Sequence, residues 1–185
     1  MVEFDPKIHH RRSIRLAGYD YAQAGAYYVT IVTWQREFLF GGIVNGEMRL
    51  NRHGKIAEEC WQLIPKHFPD VELGAYVIMP NQVHGIIMIN DTDKNRVATN
   101  SQPVGASHDT PLRPRGVSSG SLGAIIGSFK SAVTKRIGRE LNETGIWQRS
   151  FYEHIIRNDK EFANIQAYVI NNPVLWDEDE ENPDM

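Results

Sequence analysis

A single cysteine, Cys60, is all the thiol chemistry that the 185 residues carry. It closes no internal disulfide and forms no CxxC pair, so a disulfide scaffold and a thiolate zinc site are both excluded. No run of about 18 apolar residues occurs, which leaves no candidate for a membrane-spanning helix. The opening Met1–Arg15 is charged and has no apolar core, so it is not expected to act as a secretory signal. A reducing, cytoplasmic setting without a membrane partner is the expectation. Internal repeats and coiled-coil heptads are missing as well. So is the glycine–aromatic strand segment that an RNA-recognition motif would need.

Net charge is low, −3, but unevenly distributed. The last nine residues, Asp177–Met185, hold six acidic residues and no basic one, which leaves 17 acidic against 20 basic residues in the remainder. Basic residues gather in His9-His10-Arg11-Arg12 with Arg15, in Arg113 with Arg115, and in Lys130, Lys135, Arg136 and Arg139. Local patches attract phosphate whatever the overall charge. Ordinary solvated faces explain the same residues, so charge permits a nucleic-acid partner without demanding one. The acidic tail, 177–185, reads first as a solubilising end and second as a phosphate mimic.

An apolar content of 41% supports one compact domain, expected over 18–176 after a basic N-terminal segment at 1–17. Residues 27–34 alternate β-branched and aromatic side chains and predict a strand. Asn45-Gly46, set between apolar pairs in Gly42–Leu50, predicts a hairpin. Ile56, Ala57, Cys60, Trp61, Leu63 and Ile64 recur at helical spacing, giving a helix over 52–66 that Pro65 and Pro69 help to end. Val71–Met79 and Val83–Ile89 predict two strands joined at Pro80-Asn81. Residues 91–119 are rich in Ser, Thr, Asn, Asp, Gly and Pro and read as a long flexible insertion. Leu122, Ile125, Ile126, Phe129, Val133 and Ile137 then share one helical stripe. Ser150–Arg157 alternates as a strand. Asn158 with Glu161 resembles a capping box that opens a last helix, with Phe162, Ile165 and Val169 facing inward and Pro173 limiting it. The order β, α, β, β, α, β, α, with an extra hairpin after the first strand, predicts an α+β ferredoxin-like sandwich with an antiparallel sheet.

Three segments carry candidate chemistry. In Met79-Pro80-Asn81-Gln82-Val83-His84-Gly85, Gln82 and His84 alternate along a strand and share a face, which makes a rigid mount for an ion. For an isolated Gln-x-His, a half-buried strand whose polar residues meet solvent is the plainer explanation. The second segment is Trp147-Gln148-Arg149-Ser150-Phe151-Tyr152-Glu153-His154-Ile155-Ile156-Arg157. The third is Ala167-Tyr168-Val169-Ile170-Asn171-Asn172-Pro173. There Tyr168 and Asn172, four apart, stack on one helical face about 6 Å apart along the axis. A half-buried tyrosine on the flank of an apolar stripe is the plain reading of Tyr168.

Together and in this order, the segments resemble the IS200/IS605-type Y1 transposases, above all the branch associated with repetitive extragenic palindromes (REP). The resemblance runs from about Gly18 to Trp176. It includes Tyr27–Thr33, the Met-Pro-Asn-x-Val-His-Gly turn, Gly127-Ser128-Phe129-Lys130-Ser131, Trp147-Gln148-Arg149, Tyr152–Arg157, and Tyr168 ahead of Asn172-Pro173. It implies that Tyr168, on the last helix, attacks a DNA phosphate to give a 5′-phosphotyrosyl link and a 3′-hydroxyl. It implies a Mg²⁺ or Mn²⁺ site at a histidine–hydrophobic–histidine motif completed by Asn172, which polarises the scissile phosphate. A phenol with a pKa of about 10 needs such help to lose its proton.

One position departs from the family pattern. Gln82 stands where the first histidine of the motif belongs. Its carbonyl oxygen suits Mg²⁺ and keeps the site's charge, but reach, geometry and basicity all change. The expected metal ligands are therefore His84, Gln82 and Asn172, in a weakened site or, alternatively, in a protein kept for binding alone. Arg11, Arg12, Arg15, Lys130 and Arg149 are the expected DNA contacts. His154 is expected in a supporting or structural role. Tyr19, Tyr21, Tyr27 and Tyr28 offer either faces for unstacked bases or packing. The implied partner is single-stranded DNA, as a hairpin or palindrome, with monomer and homodimer both open.

Overall fold

The computed structural model describes residues 19–91 and 120–176. Arg11, Arg12, Arg15, the insertion from residue 92 onward and the acidic tail lie outside the described residues.

Strand β1 (Gly25–Val32) is followed by a short 3₁₀ turn and a hairpin of β2 (Gly41–Val44) and β3 (Glu47–Leu50). Helices α1 (Arg52–Gln62) and α2 (Ile64–His67) lead to β4 (Val71–Ile78) and β5 (Gln82–Ile89). Helix α3 (Leu122–Leu141), strand β6 (Tyr152–Ile156) and helix α4 (Asp159–Asn171) complete the order. Strands β4, β5, β1 and β6 lie side by side in that order, all antiparallel. With the β2–β3 hairpin set aside, this is the strand order of a ferredoxin-like sheet, as the element order predicts.

Alternation along the strands assigns each face of the sheet to different helices. Tyr27, Val29, Ile31, Val83, Ile87 and Ile89 pack with Ile56 and Trp61 of α1 and with Ile125, Ile126, Phe129, Val133 and Ile137 of α3. Tyr28, Ile86 and Ile156 point the other way, onto Val169, Phe162 and Ile165 of α4. A sheet covered on both faces explains why β5 reads almost continuously apolar after His84. Helix α4 thus forms a third layer, and Gln82 and His84 on its side of the sheet are buried.

Local chemistry accounts for most boundaries. Asn45 and Gly46 both take positive φ, 54° and 73°, which is the conformation that a tight hairpin turn requires. Asn51, Ser121 and Asn158 cap α1, α3 and α4 by accepting from Gly54, Ala124 and Glu161 backbone N–H groups. Other expectations need correction. The helix expected over 52–66 breaks at Leu63, and Pro65 lies in the first turn of α2, where its missing N–H leaves no bond unmade. The Asn158–Glu161 box is also not reciprocal. The Glu161 carboxylate reaches past Asn158 to accept from Arg157 N, at 2.7 Å. Asn172, although it precedes a proline, keeps helical angles.

Candidate functional site

The site starts at the turn Met79-Pro80-Asn81-Gln82. Met79 N donates to Gln82 O at 2.8 Å, closing the β4–β5 connection. The two carbonyls in between are also engaged. Pro80 O accepts from Phe40 N and Asn81 O accepts from Thr33 N. A turn held by these three hydrogen bonds gives β5 a fixed start, with Gln82 opposite Val32 and His84 opposite Thr30. Val83 and Gly85 face the α1–α3 core. A Cβ at Gly85 would come within 2.3 Å of the Trp61 ring, so the glycine lets α1 press close beneath the site. Gln82 and His84 face α4, and both are buried.

On that face the His84 imidazole is oriented by two hydroxyls of β1. The Tyr28 hydroxyl lies 2.7 Å from His84 Nδ1, and Thr30 Oγ1 lies 3.0 Å from it. Thr30 Oγ1 also donates to the Tyr28 oxygen at 3.0 Å. With the proton on Nδ1, His84 donates to these oxygens and carries its lone pair on Nε2. Outer hydroxyl or carbonyl partners of this kind fix ring orientation and tautomer in ligating histidines. Neither Tyr28 nor Thr30 was expected in this role. The signal is present in the sequence as same-face alternation along β1, but it acquires meaning only once β1 is paired with β5.

Helix α4 brings the Tyr168 ring against this cluster. Its centroid is 5.8 Å from that of His84 and 6.2 Å from that of Tyr28, edge-on to both. Tyr168 remains 43% exposed, so its ring is held by the cluster while solvent still reaches it. One turn further, Asn172 is buried at the helix end. That end is located by its neighbours. Trp176 packs on Phe38, and Val174 lies beside Gly46, both in the stretch after β1 whose last residue faces Gln82. The Asn172 end of α4 therefore lies toward the Gln82 end of β5.

Gln82 Oε1, His84 Nε2 and Asn172 Oδ1 are all buried atoms. Two amide oxygens and an imidazole form a donor set that suits Mg²⁺ or Mn²⁺ in kind. It contains no carboxylate, and among the described residues no cluster of three or more His, Cys, Asp or Glu side chains is placed to hold a metal. Three neutral ligands leave a dication's charge uncompensated. The residues therefore fit a divalent ion that shares an anionic phosphate, rather than one held by protein alone.

The remaining expected residues fall around this centre. The Lys130 ammonium is held by the main-chain carbonyls of Gln148, Arg149 and Ser150, while Trp147 Nε1 donates back to Lys130 O at 3.2 Å. Burial pulls its pKa down to about 8. Lys130 thus ties α3 to the segment entering β6, and Arg149 stands exposed on that segment. The same segment is anchored to the end of β1, where Gln148 N donates to Val32 O at 3.0 Å. His154, on the α4 face of β6, pairs with Glu161 at 2.6 Å and ties β6 to the first turn of α4. The Arg157 backbone N–H, followed by His154, holds the Glu161 carboxyl below its ordinary range. Arg136, from the α3 basic group, is engaged by Glu59 and Glu140. Tyr19, Tyr21 and Tyr27 pack edge-on or tilted against one another, and Tyr28 lies in the cluster above.

No protein-family model matches the chain. It is 40% identical, over 179 residues and 97% of both chains, to a Haemophilus influenzae protein of uncharacterised function. It is 25% identical over 165 residues, covering 84% of this chain and 73% of the other, to a second protein of that organism, provisionally described as a REP-associated tyrosine transposase. Among solved structures, a REP-associated tyrosine transposase bound to a REP hairpin superposes with a TM-score of 0.56 at 18% identity, over 88% of this chain and 73% of that one, a likeness of fold. Among the described residues no helix is long and apolar enough to cross a membrane. With its motifs in order on this fold, the likeness to these REP-associated tyrosine transposases supports a place beside the IS200/IS605-like Y1 transposases.

Proposed function

We propose that the protein binds folded single-stranded DNA and cuts and rejoins it through Tyr168. The observation that carries this reading is the packing of the half-exposed Tyr168 ring 5.8 Å from the ring of His84, with Gln82 and Asn172 buried in the same layer. In the cutting step, Tyr168 Oη forms a bond to phosphorus and the bond from phosphorus to the 3′ oxygen breaks. The phenol proton leaves to solvent, and the freed 3′ oxygen takes one up as a hydroxyl. Reversal by a 3′-hydroxyl rejoins the strand without an external energy source, because the phosphotyrosyl link conserves the ester.

Gln82, His84 and Asn172 would hold a Mg²⁺ or Mn²⁺ ion, which when bound supplies charge for the scissile phosphate. The protein's own residues do the rest. Tyr28 and Thr30 fix the imidazole, the α4 layer excludes water from the ligand side, and α4 sets the approach of the tyrosine. Exposed Arg149 lies at the Gln82 end of the sheet, where a backbone phosphate would meet it.

The test is a covalent adduct assay on single-stranded and hairpin oligonucleotides with Mg²⁺ or Mn²⁺. A denaturation-resistant protein–DNA adduct is expected from the wild type and none from Tyr168→Phe, with equal DNA binding by both. Tight hairpin binding without adduct under either metal would instead mark a binding module of the same ancestry.

A further inference from the structure

Of the chain's seven tyrosines, only Tyr152 and Tyr168 are exposed, at 45% and 43%. Both touch the same residue edge-on. Tyr152 lies 6.4 Å from Tyr28 between ring centroids, and Tyr168 lies 6.2 Å from it. Register explains the placement. His84 pairs with Thr30, and Thr30 pairs with Tyr152, so the three form one row across β5, β1 and β6 on the face that α4 covers. Tyr152 ends that row on an edge strand, two strand spacings or about 10 Å from His84. An exposed aromatic ring is an unusual end for an edge strand, where charge commonly blocks unwanted pairing.

We propose that Tyr152 is a stacking platform for the nucleobase next to the phosphate that Tyr168 addresses. The proposal rests on the single-strand DNA reading above. Single-strand binders combine a cation that follows the backbone with an aromatic face that takes the base. Here exposed Arg149, three residues earlier, supplies the cation, and Lys130 holds its backbone in place through the carbonyls of Gln148, Arg149 and Ser150. The edge contact with Tyr28 holds the Tyr152 ring upright while leaving it open to solvent. Tyrosine has few rotatable bonds, so stacking orders little that is not already ordered. Tyr19, Tyr21 and Tyr27 pack against one another, Tyr76 packs on Trp61, and Tyr28 lies under α4.

The probe is a labelled DNA hairpin with single-stranded thymidine flanks, titrated against the full chain at several salt concentrations. Tyr152→Ala and Tyr152→Leu are expected to bind about 5- to 100-fold more weakly, and Tyr152→Phe close to wild type, since the ring and not the hydroxyl makes the contact. The salt slope should be the same in all four proteins, because no phosphate contact is lost. A 5-iododeoxyuridine placed in the flank should cross-link to Tyr152 in the unmodified protein, a readout that needs no variant to fold. Unchanged affinity of Tyr152→Ala, a Phe variant as weak as Ala, or a cross-link at another residue would each overturn the proposal and leave the functional reading standing. Wild-type protein that ignores the hairpin would overturn both.

Discussion

The phenol oxygen of Tyr28 lies 2.7 Å from Nδ1 of His84, and the two rings run nearly parallel, 9° apart, with centroids separated by 5.9 Å. The pair is 56 residues apart in sequence and is brought together by the β1–β5 register, in which Thr30 stands directly opposite His84. A histidine held at Nδ1 by two hydroxyls has its other nitrogen aimed by packing rather than by chance. The aim of that nitrogen is therefore set by the sheet.

This geometry predicts that removing the hydroxyls damages metal binding without disturbing the ligands. Tyr28→Phe and Thr30→Val should each weaken Mn²⁺ binding, measured in the presence of an oligonucleotide, by about 10- to 100-fold. Each should also lose about 1 kcal/mol of stability for the missing hydrogen bond. Calorimetric titration beside urea denaturation checks both. Metal affinity within twofold of wild type would show that the hydroxyls contribute to folding alone.

Lys130 provides a pH-dependent prediction. Burial lowers its folded-state pKa to about 8, below the unfolded-chain value of about 10.4. Between those values the unfolded chain holds the proton and the folded chain does not, so stability rises with pH there, while below about pH 8 the group's cost is complete and constant with pH. The amine formed still donates to two of its three carbonyls. Wild-type protein should therefore gain stability relative to Lys130→Met as pH rises from about 8 to 10.4. Urea midpoints of the two proteins across that window provide the measurement, and parallel curves would contradict it. Lys130→Met should also speed hydrogen exchange at the amides of Arg149 and Ser150 near neutral pH.

Local signals made much of this molecule legible in its sequence. Asn45-Gly46 marked its hairpin because the turn's backbone angles depend on those two residues alone. The α3 stripe from Leu122 to Ile137 and the α4 stripe from Phe162 to Val169 marked their helices because each buries one face. Gln82 and His84 shared a face because strand alternation is a local rule. The parts that were not legible depend on pairing. Which strand lies beside β5 decides that Tyr28 and Thr30 meet His84, and which strand lies at the edge decides that Tyr152 is exposed. Lys130 reads in the sequence as a DNA contact or a solvated cation, because its three carbonyl partners lie 18 to 20 residues away in an irregular segment. Pro65 looked like a stop because spacing alone does not distinguish a helix end from the first turn of the next helix.

Gln82 gives the last prediction. It is fully buried at the start of β5, opposite Val32, in a turn held by Phe40 and Thr33. A histidine there would start from the same fixed backbone, on the sheet face that it shares with His84. It would replace an amide oxygen with a more basic nitrogen, which favours Mn²⁺ over Mg²⁺. Gln82→His should therefore increase the yield of the Tyr168 adduct, by about tenfold or more with Mn²⁺ if ligand strength limits the present site. The comparison is made at equal hairpin occupancy, so that binding does not mask chemistry. If Gln82→His binds the hairpin as wild type does and still yields no adduct under either metal, then the glutamine is not what limits the site. The loss of catalysis would then be spread over other positions, and the protein's role would be to hold the hairpin rather than cut it.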